Sequence, residues 1–248
     1  MFSRSQRLNG FKPSAARTLF TFKEKQLFRP ISPEIGRPEY SETSEPFDCY
    51  DEDPRVYTGD DISKARDAGR LARKMLDYSL ELASEPNKYT TNDIDRLVHD
   101  EIVKHGAYPS PQNYRGFPKS ICTSVNDVIC HGIPDDRQIE EGDIVSIDVS
   151  LYFNGFHGDN CGTIISGDKG SDLKGTKLLN AALEALDKSV EICKPGECIS
   201  KIGQVVHDVG EKRGFRTIYE FCGHGEYLRC FSVLFFFHWC YSSFIFLV

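Results

Sequence analysis

Two aspartates, Asp148 and Asp159, lie on either side of the turn of a predicted β-hairpin. They are the first candidate functional residues in this chain of 248 residues. Residues 143–152 alternate apolar and polar side chains, as a half-buried strand does, and Asn154-Gly155 follows them. Asn-Gly between two strands is the strongest short-range signal for a two-residue turn, after which residues 156–165 return. The sequence therefore predicts an antiparallel pair of strands with one aspartate on each.

The length of the turn decides which residues face each other. With two turn residues, Asp159 lies opposite Ser150 and Asp148 opposite Cys161, so both aspartates lie on one face, about 7–8 Å apart at Cα. Two converging carboxylates repel each other and resist burial, and a divalent cation with oxygen ligands relieves both problems. The alternative is a pair of solvated aspartates beside a turn, and a register shift of one residue would remove their juxtaposition.

Two histidines lie in glycine-containing segments. His131 is part of Cys130-His131-Gly132-Ile133-Pro134, and His224 is part of Cys222-Gly223-His224-Gly225, after a predicted strand at residues 215–221. Flanking glycines permit close backbone approach and unusual dihedral angles near a site. Alone, each histidine fits a structural role, whereas together with the aspartate hairpin the two indicate a functional site.

Helices must position these segments. Apolar residues recur at helical spacing over residues 61–84 and again over residues 94–102, where Thr90 and Asp93 resemble a capping box and Gly106 ends the helix. The same order returns over residues 178–214. A shift of 108 residues superposes six identical pairs, namely Ile94, Val98, His99, Asp100, Lys104 and Gly106 on Ile202, Val206, His207, Asp208, Lys212 and Gly214. This predicts a duplicated unit of two helices followed by strands, with His99 and His207 as structural positions.

Composition limits the class of protein. A hydrophobic fraction of 40% with 27% charged residues is ordinary for a soluble globular protein, and a net charge of -7 argues against a nucleic-acid binder. Nine cysteines without a CxxC pair favour reduced, mostly buried thiols.

The two ends differ from the middle. Residues 1–30 are basic, hydroxylated and poor in acids, which predicts a transit peptide or, alternatively, a disordered basic tail, and residues 31–60 are predicted to be a linker with little structure. Residues 226–248 are apolar and rich in Phe. Three interpretations of this tail compete: a membrane anchor, a buried pair of strands, or sequence foreign to the domain.

Several longer motifs occur in a fixed order between Asp61 and Gly225: Pro118-Lys119-Ser120, Cys122-Thr123-Ser124-Val125-Asn126, Cys130-His131-Gly132-Ile133-Pro134-Asp135, Ile147-Asp148-Val149, Gly155-Phe156-His157-Gly158-Asp159 and Gly223-His224-Gly225. In order and spacing, this set resembles the type 1 methionine aminopeptidases. The resemblance implies the pita-bread fold, an α/β fold of two pseudo-symmetric halves around a metal site, here over residues 61–225 with an incomplete second half.

The resemblance also implies a site and a reaction. Asp148 would bind the first of two divalent metal ions (Co, Mn, Fe or Zn), Asp159 would bridge both, and His224 would bind the second. The reaction would be metal-assisted hydrolysis that removes the first methionine from nascent proteins.

The substrate contacts follow from the same resemblance. His131 would hydrogen-bond the scissile amide or the departing nitrogen, and Tyr114, Phe117 and Cys122 would line an apolar pocket for the methionine side chain. Nascent polypeptide N-termini are the expected partners, with contact to the ribosome as an extension. The expected protein is a monomer that binds no nucleic acid, and it meets a membrane only if the tail is an anchor. A mitochondrial location is expected, with plastid or cytoplasm as alternatives.

The chain also departs from the family pattern. The family supplies two further glutamate ligands and another histidine beyond the Gly-His-Gly motif, and residues 226–248 contain no counterpart in the expected context. A smaller departure is Asn160-Cys161-Gly162, where the family usually has a hydroxylated or acidic residue. We therefore expect this chain to be inactive as it stands, or an incomplete version of a peptidase. The alternative is a non-catalytic binding protein with the same fold.

Overall fold

A computed structural model describes residues 28–46, 56–167, 173–218 and 246–247. Its elements follow the predicted order of two helices, a strand-rich segment and two further helices. They are α1 (Tyr40–Thr43), α2 (Asp60–Ala83), α3 (Thr91–Lys104), β1 (Tyr108–Pro109), a 3-10 turn (Tyr114–Gly116), β2 (Cys122–Val125), β3 (Ile144–Phe153), β4 (Phe156–Ile165), α4 (Leu173–Ile192), α5 (Ser200–Arg213), β5 (Arg216–Thr217) and β6 (Phe246–Leu247).

Strand β3 is the centre of the main sheet. β4 pairs with it antiparallel along its whole length, from Phe153–Phe156 to Ile144–Ile165. The other edge of β3 is shared, because β1 pairs with residues 151–152 and β2 pairs with residues 145–148. The residues of β3 therefore have a neighbour on both sides over most of the strand.

The two faces of β3 have different environments. Val145, Ile147, Val149 and Leu151 are completely buried in the main core, to which α2 and α3 also contribute. Burial of each such side chain contributes about 1.5–3 kcal/mol relative to exposure. Successive side chains of a strand point to opposite faces, so Asp148 lies on the face away from this core.

Helix α2 lies very close to β4 at one point. A Cβ atom built on Gly158 would lie 2.4 Å from the carbonyl oxygen of Ala68 and 2.8 Å from the amide nitrogen of Gly69. Only glycine permits this approach of the helix backbone to the strand. This contact therefore sets the distance between α2 and the strand that carries Asp159, the next residue.

The start of α3 confirms the predicted capping box. The Thr90 hydroxyl accepts from the amide of Asp93 at 3.0 Å, and the Asp93 carboxylate accepts from the amide of Thr90 at 3.1 Å. The Thr90 hydroxyl also donates to the Asp93 carboxylate at 2.8 Å, and this bond, followed by the one from the Thr90 amide, holds the pKa of Asp93 below its usual range. Further along the helix, His99 is buried and hydrogen-bonded, which confirms the predicted structural role.

The second helical pair follows the predicted duplication. α4 and α5 pack on each other through a smaller apolar cluster, and β5 follows α5 as β1 follows α3. Gly214 ends α5 with φ of 80°, the left-handed conformation predicted for a glycine at that position. The repeat in the sequence therefore corresponds to a repeated order of elements.

The stretch from residue 31 to residue 46 corrects a prediction. It was expected to be a linker with little structure, but it contains α1, and Tyr40 is only 2% exposed. The expectation failed because its apolar and hydrogen-bonding residues find partners about 70 positions away in the chain, which local composition does not reveal.

The predicted transit peptide, apart from residues 28–30, and the predicted tail, apart from residues 246–247, lie outside the described residues. Both remain predictions. Within the described ranges, no helix has the combination of length and apolar character that crossing a membrane requires.

Candidate active site

The β3–β4 hairpin has the register that its two-residue turn predicts. Asn154 and Gly155 have φ of 52° and 90°, the left-handed values that a tight hairpin turn of this kind requires. Ser150 faces Asp159, and Asp148 faces Cys161. The two aspartates are therefore diagonal neighbours on one face, and their carboxyl groups are close enough to share a hydrogen bond.

Asp148 and Asp159 are in an environment that does not favour two negative charges. Burial, and next the charge of Asp159, raise the pKa of Asp148 well above its usual value. Asp159 is 6% exposed and accepts a hydrogen bond from the Ser150 hydroxyl at 2.7 Å. A positive charge beside the pair would relieve this repulsion.

One oxygen of this pair also lacks a donor. Within the described part of the chain, Oδ1 of Asp148 is buried and has no hydrogen-bond partner. A buried carboxylate oxygen without a donor, beside a second carboxylate, fits the oxygen ligands that divalent cations take. The site therefore fits a divalent metal ion on an observation independent of sequence similarity.

Two cysteines flank Asp148 on the neighbouring strands. Cys122 of β2 faces Asp148 from one side, and Cys161 of β4 faces it from the other. Burial, followed by the charges of Asp148 and Asp159, raises the pKa of Cys122 well above its usual value. The thiol therefore stays neutral, which suits the apolar pocket wall predicted for it.

The loop that carries His131 is fixed against β2. The carbonyl of Gly132 accepts from the amide of Thr123 at 2.9 Å, and the amide of Gly132 donates to the Ser124 hydroxyl at 3.1 Å. A Cβ on Gly132 would lie 2.1 Å from the Thr123 carbonyl oxygen, so glycine is required here. His131 has φ of 52° and is exposed beside the strand that faces Asp148.

Cys130, the neighbouring residue of this loop, is also affected by the charge of the aspartate pair. Burial, and next the charge of Asp148, raise the pKa of the Cys130 thiol. The structure therefore brings the His131 loop, Cys122 and the aspartate pair to one place.

The other two predicted pocket residues lie on the loop between β1 and β2. Tyr114 and Phe117 are half-buried, and the Tyr114 ring packs edge-on against Tyr40 with centroids 5.1 Å apart. Phe117 is five residues before Cys122, which β2 places opposite Asp148.

The sequence assigned no role to His157, although it lies in the Gly-Phe-His-Gly-Asp motif. It is 3% exposed, and its Nδ1 is 2.8 Å from the Ser110 hydroxyl. Burial lowers the pKa of His157 to about 4, so the ring is neutral at neutral pH. The position of this histidine in the motif, two residues before Asp159, was the available signal.

The third predicted metal ligand, His224, lies outside the described residues. Among the residues that the structure describes, no group of three or more His, Cys, Asp or Glu side chains could hold a metal ion. The described part of the site is therefore the pair Asp148 and Asp159.

Comparisons with known proteins define the class. Residues 63–229 match the model of metallopeptidase family M24, and the chain belongs to that family. Membership implies the use of a divalent metal ion, in agreement with the Asp148–Asp159 pair.

Within that family, the similar proteins are methionine aminopeptidases. The chain is 43% identical over 197 residues to methionine aminopeptidase 1D, chloroplastic/mitochondrial, of Arabidopsis thaliana, which covers 79% of the chain and 55% of that protein. It is 42% identical over 198 residues to methionine aminopeptidase 1D, mitochondrial, of Homo sapiens, covering 79% and 57%. The chain thus spans little more than half the length of these relatives.

A solved structure confirms the predicted fold. The crystal structure of methionine aminopeptidase from Rickettsia prowazekii superposes with a TM-score of 0.68 at 38% identity, covering 72% of this chain and 70% of that one. The pita-bread fold expected from the sequence is thereby confirmed for the part that the chain covers.

Proposed function

We propose that the protein removes the N-terminal methionine from newly made proteins by metal-dependent hydrolysis. The observation that carries this proposal is the pair of buried, diagonally opposed carboxylates, Asp148 and Asp159, in a chain of metallopeptidase family M24. The names of its similar relatives supply the substrate class.

The proposed metal site consists of Asp148, Asp159 and His224, which would hold two divalent ions of Co, Mn, Fe or Zn. Asp148 and His224 would each be a ligand of one ion, and Asp159 would be a ligand shared by the two. When bound, such ions supply Lewis-acid activation of water and of the peptide carbonyl. The hydrogen bond from Ser150 keeps the Asp159 carboxylate in a fixed orientation for this purpose.

The proposed substrate contacts lie beside the carboxylate pair. His131, exposed and held by the Gly132 contacts with β2, donates to the scissile amide or to the departing nitrogen. Tyr114, Phe117 and the neutral thiol of Cys122 form the pocket for the methionine side chain, which is selected mainly by dispersion and fit.

The substrates and location follow the relatives. Nascent polypeptide N-termini are the proposed substrates, and the protein acts as a monomer that reaches them at or near the ribosome. The names of the Arabidopsis and human relatives support a mitochondrial location, with the plastid as the alternative.

The metal site is tested first. Mn²⁺ binding to the chain is measured by electron paramagnetic resonance, beside Asp159→Ala and the matched control Asp136→Ala, which removes an exposed carboxylate. We expect Asp159→Ala to weaken Mn²⁺ binding by more than about tenfold, the loss that even an indirect partner of a metal ligand causes. Equal affinity of all three proteins would contradict the proposed site.

The reaction is tested with the peptide Met-Ala-Ser and added Co²⁺ or Mn²⁺. Because two of the family's glutamate ligands have no counterpart in residues 226–248, we expect no turnover from the chain as it stands. Cleavage that is lost in Asp159→Ala and kept in Asp136→Ala would contradict that expectation and support the peptidase. A metal-loaded chain that binds the peptide without cleaving it fits the alternative of a non-catalytic binding protein. A full-length transcript that continues from the Gly223-His224-Gly225 codons into two ligand glutamates would favour the peptidase in that case.

A further inference from the structure

A segment before the main domain, residues 29–44, contacts the loop that carries the proposed methionine pocket. We call this segment the strap, and we call residues 110–122 the pocket loop. The strap is linked to the pocket loop at two places: near the end of the loop at Ser120, through Asp95 and His99 of α3, and directly near its beginning at Ser110. Tyr114 and Phe117 lie between these two places.

The first place is built around a buried charge. The Asp95 side chain is fully buried, and its Oδ1 accepts from the amides of Ser120 and Ile121 at 2.7 and 3.2 Å. Its Oδ2 accepts from Nε of Arg29 at 3.0 Å. A buried carboxylate is stable only with a partner of opposite charge or several donors, and the strap supplies the cation. Arg29 thus stabilises the group that holds the end of the pocket loop.

His99 and Gln112 strengthen the same contact. The Pro30 carbonyl is 3.2 Å from Nε2 of His99 and can only accept, so Nε2 carries the hydrogen and Nδ1, at 2.8 Å, accepts from the Ser120 hydroxyl. The Gln112 side chain donates to the Arg29 carbonyl at 2.9 Å. The Gln112 part of the pocket loop therefore bonds directly to the strap, and the Ser120 end is linked to it through Asp95 and His99 of α3.

The second place is built around Tyr40. Its ring is 2% exposed, packs edge-on against Tyr114, and stacks at 6.2 Å on His157 of β4. Its hydroxyl donates to the carbonyl of Ser110 at 2.7 Å. Burial raises the pKa of Tyr40 above its usual value, so the hydroxyl remains a donor.

The pocket loop is strained where the strap touches it. Asn113 and Arg115, on either side of Tyr114, have φ of 64° and 49°, and a left-handed backbone is unfavourable at a residue such as Arg115. Such conformations persist only where surrounding contacts hold them. The amide of Arg115 donates to the Ser44 carbonyl at 2.9 Å.

Asn113 is held by the same part of the strap. Its side-chain amide donates to the Ser41 carbonyl at 2.8 Å, and its Oδ1 accepts from the Ser44 hydroxyl at 2.6 Å. The strap therefore bonds to both strained residues that set the orientation of Tyr114.

We propose that the strap holds the pocket loop in the conformation that binds the methionine side chain, with Arg29 and Tyr40 as positioning residues. The proposal rests on the proposed function, because it assigns the pocket to methionine. Both residues act through the loop and not through direct contact with the aspartate pair. The strap is thus part of the working enzyme.

The test compares Arg29→Met and Tyr40→Phe with the wild-type chain. The matched control is Arg70→Met, since Arg70 is an exposed residue of α2 outside the strap and its guanidinium donates to Asp67 of the same helix. The affinity for Met-Ala-Ser is measured by calorimetry with Mn²⁺ present, and the Mn²⁺ affinity is measured separately. Amide hydrogen exchange over residues 113–117 reports the pocket loop.

We expect Arg29→Met to weaken Met-Ala-Ser binding by about tenfold and to leave the Mn²⁺ affinity within about twofold, with faster exchange over residues 113–117. Tyr40→Phe keeps the ring and is expected to act in the same direction with a smaller effect. Arg70→Met is expected to match the wild type. If Arg29→Met prevents the protein from folding, Tyr40→Phe alone tests the proposal.

Parallel losses of peptide and Mn²⁺ affinity would overturn the positioning role in favour of general destabilisation. Unchanged peptide affinity and unchanged amide exchange in both variants would contradict the proposal that the strap holds the pocket loop. A wild-type chain that binds no Met-Ala-Ser would contradict the proposed function. In that case, unchanged exchange over residues 113–117 in the variants would still overturn the strap, and faster exchange would support it.

Discussion

The close approach of α2 to β4 makes Gly158→Ala a sharp test of how the site is built. The new Cβ would lie 2.4 Å from the Ala68 carbonyl oxygen, whereas ordinary contact begins at 3.4 Å, so the backbones must separate by about 1 Å. The obstructing atoms belong to the helix backbone and cannot rotate away. Overpacking of this kind costs about 1–3 kcal/mol.

A matched control is available in α5. Gly203 lies within that helix, and a Cβ built there meets nothing within 4 Å. Gly203→Ala is therefore expected to stabilise the protein by about 0.5–1 kcal/mol, because alanine loses less backbone entropy than glycine on folding. The two glycine-to-alanine variants should then differ by at least about 1.5 kcal/mol in free energy of unfolding.

The assay is equilibrium unfolding in urea, followed by circular dichroism, for the wild type and both variants. The midpoint for Gly158→Ala is expected to fall and that for Gly203→Ala to rise, with unchanged slopes. A Gly158→Ala protein as stable as the wild type would refute the close packing of α2 on the strand that carries Asp159. A fall for both variants would show that the loss is not specific to this contact.

Three further predictions concern charge and processing. The raised pKa of Asp148 means that its folded form holds its proton longer than the unfolded chain does, so stability of the metal-free protein should fall as pH rises above about 4. Asp148→Asn should remove that part of the fall, and Mn²⁺ should oppose it in the wild type. The pKa of His157, lowered to about 4, has the opposite effect: up to about 3 kcal/mol of stability relative to His157→Gln should be lost as pH falls from about 6.5 towards 4. Finally, any leader removed in the cell should be cut before Arg29, as N-terminal sequencing of the mature protein would show.

Each of these has a clear contrary result. Parallel pH profiles of unfolding free energy for the metal-free wild type and Asp148→Asn would contradict the first prediction. A His157→Gln variant whose stability differs from the wild type by a constant amount between pH 4 and 7 would contradict the second. A mature N-terminus beyond Arg29 would remove the partner of Asp95 and contradict the third.

The hairpin could be predicted from the sequence because its determinants are local. Asn154 and Gly155 set the turn, and a two-residue turn leaves one register, so the relation between Asp148 and Asp159 followed from counting. The helices α2 and α3 were equally accessible, since helical spacing and the Thr90–Asp93 box lie within a few residues of the elements they define.

The strap could not be predicted in the same way. Its contacts join residues about 66–83 positions apart, such as Arg29 with Asp95 and Gln112 with Arg29. Proline, serine and acidic residues dominate this stretch, and that composition is shared by disordered linkers. Only the partner surface on α3 and the pocket loop distinguishes the two cases. The left-handed residues Asn113 and Arg115 were also invisible to sequence patterns, because tertiary contacts hold them.

Cys122 is buried beside two acidic groups, and this position affects how readily its thiol is chemically modified. A thiol reacts with peroxide and alkylating agents mainly as the thiolate, and burial with neighbouring negative charge keeps this one protonated. In an organelle that produces oxidants, a cysteine in that setting would be among the last of the described cysteines to be modified. The same strand pairing that brings Cys122 opposite Asp148 thus also slows oxidation and alkylation of this pocket residue.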